Sequence, residues 1–222
     1  KRAVVVAYDV GTEPQALFYY HKLGVISERH LKPFDDEHDG TLLAEAAAAL
    51  VLESEDSVNE RNAYCYGEIL GGFAQTEGAG LFTVEQEGTR LAELITKTLS
   101  SLSLSDTSIN MVVAHGNGNK KSDETEASAI AKTLGSRVPV TGFKWAMGHS
   151  LAASGLIDAV LTTYALRHHC VPGIANLKRV DESCQSINVQ AQPRTLEEKS
   201  RALLINRGFA SMNSCVVIQA CE

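Results

Sequence analysis

Apolar residues along the chain fall into two patterns, short continuous runs and one-sided helical stripes. Ala3 to Tyr8, opening with Ala3-Val4-Val5-Val6-Ala7, reads as a buried strand. Pro14 to Leu23 reads as a short helix, with Leu17, Tyr20 and His21 at helical spacing. The polar stretch Lys32 to Gly40 ends on Asp39-Gly40, a strong turn signal. Its acidic residues lack the spacing and closing Glu of a calcium-binding EF-hand loop, so a turn is expected there. Leu42 to Glu53 closes on Ala49-Leu50-Val51-Leu52, a second buried strand, and Ala63 to Ala74 fits a third around Tyr64, Tyr66 and Ile69. Gly71, Gly72, Gly78 and Gly80 mark a mobile segment ahead of a helix running from Thr83 to Leu102. In that helix Val84, Leu91, Leu94, Ile95, Leu99 and Leu102 form a packing stripe.

The second half repeats strand and helix in turn. Asn110 to Ala114 reads as a strand, then Ser122 to Leu134 as a helix with Ser122 as N-cap and Asp123 and Glu124 in its first turn. Val138 to Phe143 reads as a strand. Ser150 to Leu166 reads as a helix apolar on nearly every side, a pattern that predicts burial all round and a partner for its one charge, Asp158. Further strands are expected near Ile187 to Val189, Ala202 to Asn206 and Cys215 to Gln219. The alternation predicts an α/β fold, a mixed sheet of about five strands with helices on both faces.

Composition narrows the function. At 222 residues with 44% hydrophobic and 21% charged, the chain can bury a substantial core. A net charge of −7 argues against sequence-independent nucleic-acid binding, which needs clustered Lys and Arg. No apolar run reaches the roughly 18 residues of a membrane span, so no membrane association is expected. Cys65, Cys170, Cys184, Cys215 and Cys221 are scattered without CxxC spacing and read as reduced thiols of a cytoplasmic protein. Lys1-Arg2 leads directly into an apolar strand, as in a chain cut from, or completed by, a longer polypeptide.

Two segments carry a histidine in a glycine-rich frame: Val112-Val113-Ala114-His115-Gly116-Asn117-Gly118-Asn119, and Phe143-Lys144-Trp145-Ala146-Met147-Gly148-His149. The first places an imidazole at the C-terminal edge of a strand, where open α/β sheets build their sites. The second adds a cation and another imidazole ahead of an apolar helix. That set suits chemistry on a carbonyl or carboxylate, with no obvious cysteine or serine nucleophile beside it. His168-His169-Cys170 is a poor metal site, since adjacent side chains diverge on a helix. No metal site is expected. Cys184 and Cys215 read as buried and inert.

Lys32 to Gly40, Ala114 to Asn119 with Asp123 and Glu126, Lys144 to His149, and Asn206-Arg207-Gly208-Phe209-Ala210-Ser211-Met212-Asn213 together resemble the β-ketoacyl synthase family of condensing enzymes. The resemblance runs from about Ala3 to Ile218 and matches only the C-terminal half of such an enzyme. It implies the C-terminal half of a thiolase-like fold, residues 1–222, completed by a companion N-terminal half that carries the nucleophilic cysteine. It implies decarboxylative condensation of a malonyl group on acyl carrier protein in fatty-acid or polyketide assembly. Its partners are then acyl carrier protein and a ketosynthase dimer partner, identical or different. No bound cofactor is implied, only the phosphopantetheine arm of the carrier.

By the same resemblance, His115 and His149 donate hydrogen bonds to the malonyl thioester as its enolate forms. The positive end of the Ser150 helix keeps His149 neutral. Lys144 orients His115, Asp158 neutralises Lys144, and Glu126 supports the site. Gly208 and Phe209 form a gate and an oxyanion donor, and Asn117 and Asn119 bind the pantetheine arm. Ala210, Ser211 and Met212 depart from the family's usual two glycines and threonine, which narrows the backbone conformations open to the gate. Arg207 with Asn213-Ser214 looks closer to the chain-length-factor branch, the non-catalytic partner subunits of type II polyketide synthases. That branch is the alternative reading.

Overall fold

The structure, a computed structural model, describes residues 1–221. In chain order it comprises β1 (Arg2–Val10), α1 (Pro14–Lys22), β2 (Glu45–Glu53), α2 (Glu55–Glu60), β3 (Gly67–Thr76) and α3 (Thr89–Ser101). Then come β4 (Met111–Val113), α4 (Lys120–Leu134), β5 (Pro139–Thr141), the single-turn α5 (Lys144–Met147) and α6 (Ser154–Arg167). The chain closes with β6 (Cys170–Val171), β7 (Asn188–Val189), β8 (Arg194–Thr195), β9 (Arg201–Gly208) and β10 (Met212–Ala220).

The main sheet is six-stranded, in the order β3-β10-β9-β4-β5-β7. β3, β10 and β9 pair antiparallel, whereas β9, β4, β5 and β7 run parallel. Side chains alternate between two layers because successive strand residues point to opposite faces. Val112, Leu203, Ile205, Cys215 and Val217 face α3 and α4, meeting Leu91, Leu94, Ile95 and Ile130. Met111, Val113, Ala202, Leu204 and Ile218 face the other way, onto Ala165 and Leu166 of α6. The α/β class with a mixed sheet and helices on both faces is therefore as the sequence suggests, with one strand more.

Several local expectations need correction. β1 pairs with β2 in a separate two-stranded sheet, with Val4, Val6 and Tyr8 exposed, so neither is a buried strand within this chain. The helix expected from Thr83 begins at Thr89, behind Gly88, whose positive φ ends the preceding turn. Gly71 and Gly72 lie inside β3, where a Cβ at Gly72 would collide with the Cys215 carbonyl. α4 starts earlier than expected because Asn119, not Ser122, is its N-cap, its side-chain oxygen accepting from the Ser122 N–H at 3.3 Å. The Ser150–Leu166 helix is split into a 3-10 turn, Leu151–Ala153, and α6, and it is half-buried rather than enclosed, with Tyr164 exposed.

The thiol reading holds for Cys170, Cys184 and Cys215 and fails for two others: Cys65 and Cys221 form a disulfide. Cys65 just precedes β3 and Cys221 just follows β10, and Gly67 pairs with Ala220, so the antiparallel ladder itself brings the two together. Burial pushes the Cys184 thiol up to about 12 and raises Cys215 further, consistent with inert side chains. No helix among the described residues is long and apolar enough to cross a membrane.

Candidate functional site

Three parallel strands deliver the site at their C-terminal ends. β4 runs into His115, β5 runs through Gly142 and Phe143 into Lys144 and on to His149, and β9 ends at Arg207 and Gly208. Their shared edge opens onto a cavity of about 960 Å³ lined by His115, His149, Asn117, Asn119, Gly208 and Phe209. The sheet thus gathers residues far apart in sequence, at the edge where parallel α/β sheets place their ligands.

His115 is held from three sides. Its N–H and that of Gly116 donate to the two oxygens of Glu126, at 2.7 and 2.9 Å. Its Nδ1 accepts from the Arg207 backbone N–H at 3.3 Å. A neutral ring accepting at Nδ1 carries its proton on Nε2. Burial, then the charge of Lys144, drives the His115 pKa well below the usual histidine range. The ring is a fixed neutral donor. Burial pushes Glu126 up to about 7, with Arg207 opposing.

His149 stands edge to face against His115, ring centroids 5.2 Å apart. Its backbone is clamped to the strand entry, N–H to the Leu42 carbonyl at 2.7 Å and carbonyl to the Ala44 N–H at 3.1 Å. Its Nδ1 is buried without a hydrogen-bond partner among the described residues, leaving Nε2 as the nitrogen able to meet a ligand. Burial, reinforced by Lys144, lowers its pKa to about 3. The cause differs from the helix-end field expected from sequence, since a 3-10 turn intervenes before α6.

Lys144 Nζ donates to Asp158 Oδ2 at 2.9 Å, both side chains almost fully buried. The partner required for Asp158 is thus found on α5, across the sheet edge. Burial raises the Asp158 pKa, and Lys144 opposes it.

Phe209 leads a tight turn between β9 and β10. Its ring is half-exposed and meets Tyr20 at 5.8 Å and Phe82 at 5.4 Å. Ala210 and Ser211 both adopt positive φ, 56° and 53°, conformations that favour glycine. The turn is bolted down: the Ala210 N–H donates to Leu81 O at 2.8 Å, and Ser211 Oγ to Gly80 O at 2.7 Å. The segment expected to be mobile is therefore tied to the turn that carries Phe209. Asn117 and Asn119 line the cavity, but their side-chain oxygens already accept from the N–H groups of Asn119 and Ser122. Their amide NH2 groups remain as donors.

Sequence reasoning missed Glu77, and read Arg207 only as a mark of the chain-length-factor branch. The buried Arg207 guanidinium donates to Glu77 Oε1 at 2.9 Å, Ser122 O at 2.9 Å, Thr125 Oγ1 at 2.7 Å and Asn213 Oδ1 at 3.2 Å. Asn213 Nδ2 also donates to Glu77 Oε1, at 2.6 Å. This network fixes the backbone N–H that orients His115. A second group sits behind the His115 loop: buried His38 meets Asp123 at 3.0 Å and Asp181 at 3.5 Å, and Asp123 also accepts the N–H groups of Phe34 and Gly118. The polar loop Lys32 to Gly40 is thus a brace. Its signals in sequence were the acidic run around His38 and the resemblance of the segment to the condensing-enzyme family.

A mixed sheet that carries a neutral imidazole pair and a buried Lys–Asp pair at its carboxyl edge has the thiolase-like fold of the ketosynthases. The chain belongs to the β-ketoacyl synthase family, residues 66–178 matching the β-ketoacyl synthase C-terminal domain. It is 34% identical over 164 residues to 3-oxoacyl-[acyl-carrier-protein] synthase 2 of Mycobacterium leprae (strain TN), covering 73% of this chain and 39% of that protein. It is 29% identical over 192 residues to the tetracenomycin polyketide synthase ketoacyl synthase alpha subunit of Streptomyces glaucescens, covering 84% of this chain and 44% of that one. A solved type II polyketide-synthase acyl-carrier protein in complex with its ketosynthase bound to the hexaketide superposes with a TM-score of 0.93 at 26% identity. That match covers 99% of this chain and 56% of the other. The chain spans about half the length of the curated relatives it matches.

Proposed function

We propose that this chain supplies the decarboxylation half-site of a β-ketoacyl-acyl carrier protein synthase in polyketide or fatty-acid assembly. The observation that carries the reading is the His115–His149 pair, two neutral rings lining one cavity, His115 buried and His149 partly buried. Malonyl decarboxylation creates an enolate oxyanion, and neutral N–H donors fixed in a dry pocket stabilise it as it forms. Lys144, held in place by Asp158, discourages protonation of both rings through its charge. Phe209 N–H completes the thioester's oxyanion contacts, and the amides of Asn117 and Asn119 hold the phosphopantetheine arm of the acyl carrier protein.

In this reading the nucleophilic cysteine comes from a companion N-terminal half that covers the exposed β1–β2 face, and the whole pairs with a second ketosynthase subunit. The alternative is a non-catalytic chain-length subunit, favoured by the pinned, glycine-poor turn after Phe209. The test is malonyl-carrier decarboxylation by the chain assembled with its companion half. The half-site reading expects His115→Ala or His149→Ala to abolish carbon dioxide release. Unchanged release removes the catalytic role. Product lengths that respond to pocket substitutions, with turnover indifferent to His115→Ala, establish the chain-length reading instead.

A further inference from the structure

Tyr20, on α1, has no part in the chemistry above, yet it lines the same cavity and is only 8% exposed. Its ring is wedged against Phe209 and Tyr19, centroids 5.8 Å away in each case. Its hydroxyl has no hydrogen-bond partner among the described residues, and it is not sealed inside protein. Tyr20 is among the residues that line the cavity. Leu23, Val25, Leu81 and Phe82 line the same cavity as apolar surface, with Asp9 as a carboxylate in the lining. An unpaired donor in this lining is a specificity element, because an occupant without an acceptor leaves a desolvated hydroxyl unsatisfied.

We propose that Tyr20 selects the occupant of this cavity, its hydroxyl donating a hydrogen bond to a carbonyl of an oxygenated acyl chain in preference to a saturated one. The inference rests on the reading that the cavity holds an acyl-pantetheine group. Neutral chemistry fits the donor. Burial and the nearby Asp9 carboxylate push the phenol up to about 12, so it remains protonated. Asp9 is itself engaged, accepting from the Val10 N–H at 2.8 Å and the Ala152 N–H at 3.1 Å, and leaves the hydroxyl free.

The experiment compares acetoacetyl- and butyryl-pantetheine amides, equal in chain length and unable to turn over, binding to the full chain in the assembly it forms on purification. One neutral hydrogen bond corresponds to about a fivefold preference for the acetoacetyl ligand. Tyr20→Phe removes only an unpartnered hydroxyl, so it should keep the thermal midpoint and bind both ligands with the butyryl affinity. Equal wild-type affinities, or a preference that survives Tyr20→Phe, overturn the role of Tyr20 alone. If wild type binds neither amide, the acyl-pantetheine reading of the cavity fails, and this inference with it.

Discussion

His115 and His149 face each other edge to face at 5.2 Å, and both sit close enough to Lys144 for its charge to depress their pKa. Free histidine titrates near 6.5. In this site His149 falls to about 3, and His115 also lies well below its ordinary value. Under the proposed half-site reading, decarboxylation by the assembled protein should therefore show no acid limb near pH 6.5. A pH–rate profile that loses activity with an apparent pKa between about 6 and 7 would mean that a histidine charges in the working pH range.

The Lys144–Asp158 pair is almost fully buried, so removing one partner strands a charge in low dielectric. Asp158→Ala should cost roughly 3–5 kcal/mol of unfolding free energy, read by urea titration. The double variant Lys144→Met with Asp158→Leu should recover most of that loss, because two packed apolar side chains replace a desolvated pair. It should not recover decarboxylation. A single variant as stable as wild type means that the pair is hydrated in solution.

His38 gives the opposite pH sign to His115 and His149. Burial pulls its pKa down, but the hydrogen bond and charge of Asp123, with Asp181, outweigh that and raise it; Lys120 opposes. The folded state then holds a proton that the unfolded chain releases near pH 6.5. Stability from this brace is fully present below that pH and is lost as pH rises through the folded pKa. Unfolding free energies of wild type should fall over that interval, and His38→Asn should remove this part of the slope. An unchanged slope in the variant assigns the pH dependence to other groups.

Much of this site is written locally. The run Val112-Val113-Ala114 announces a strand, and a strand ending in His-Gly places His115 at a sheet edge. Asp158 stands alone in an apolar helix, so its need for a cation was visible, with Lys144 available. Other features depend on the fold. Glu77 and Arg207 are 130 residues apart and meet only because β3 and β9 flank β10. Cys65 and Cys221 are 156 residues apart and are joined by the ladder between β3 and β10. The valines of β1 signal burial by their type, but apolarity does not say against what. Asn119 and Ser122 are both competent caps, and only the observed backbone decides between them.

The turn after Phe209 offers the last prediction, because it holds two non-glycine residues in left-handed conformation. For Ala210 that conformation costs about 1–2 kcal/mol, whereas glycine adopts it freely and loses about 0.4–1 kcal/mol through extra freedom in the unfolded chain. Its N–H bond to Leu81 O and its carbonyl's bond from Thr76 Oγ1, both 2.8 Å, are made by backbone atoms and survive the substitution. Ala210→Gly should therefore stabilise the protein by about 0.5–1 kcal/mol. Ser211→Ala should do the reverse, since the Ser211 hydroxyl is what ties the turn to Gly80 O and Thr83 O, at 2.7 and 2.9 Å. Loss of that tie should cost about 1 kcal/mol and loosen Phe209, seen as faster amide exchange through the turn. Urea midpoints of the two variants that move in the same direction would show that the hydrogen bonds, not the backbone conformation, set the energy of this turn.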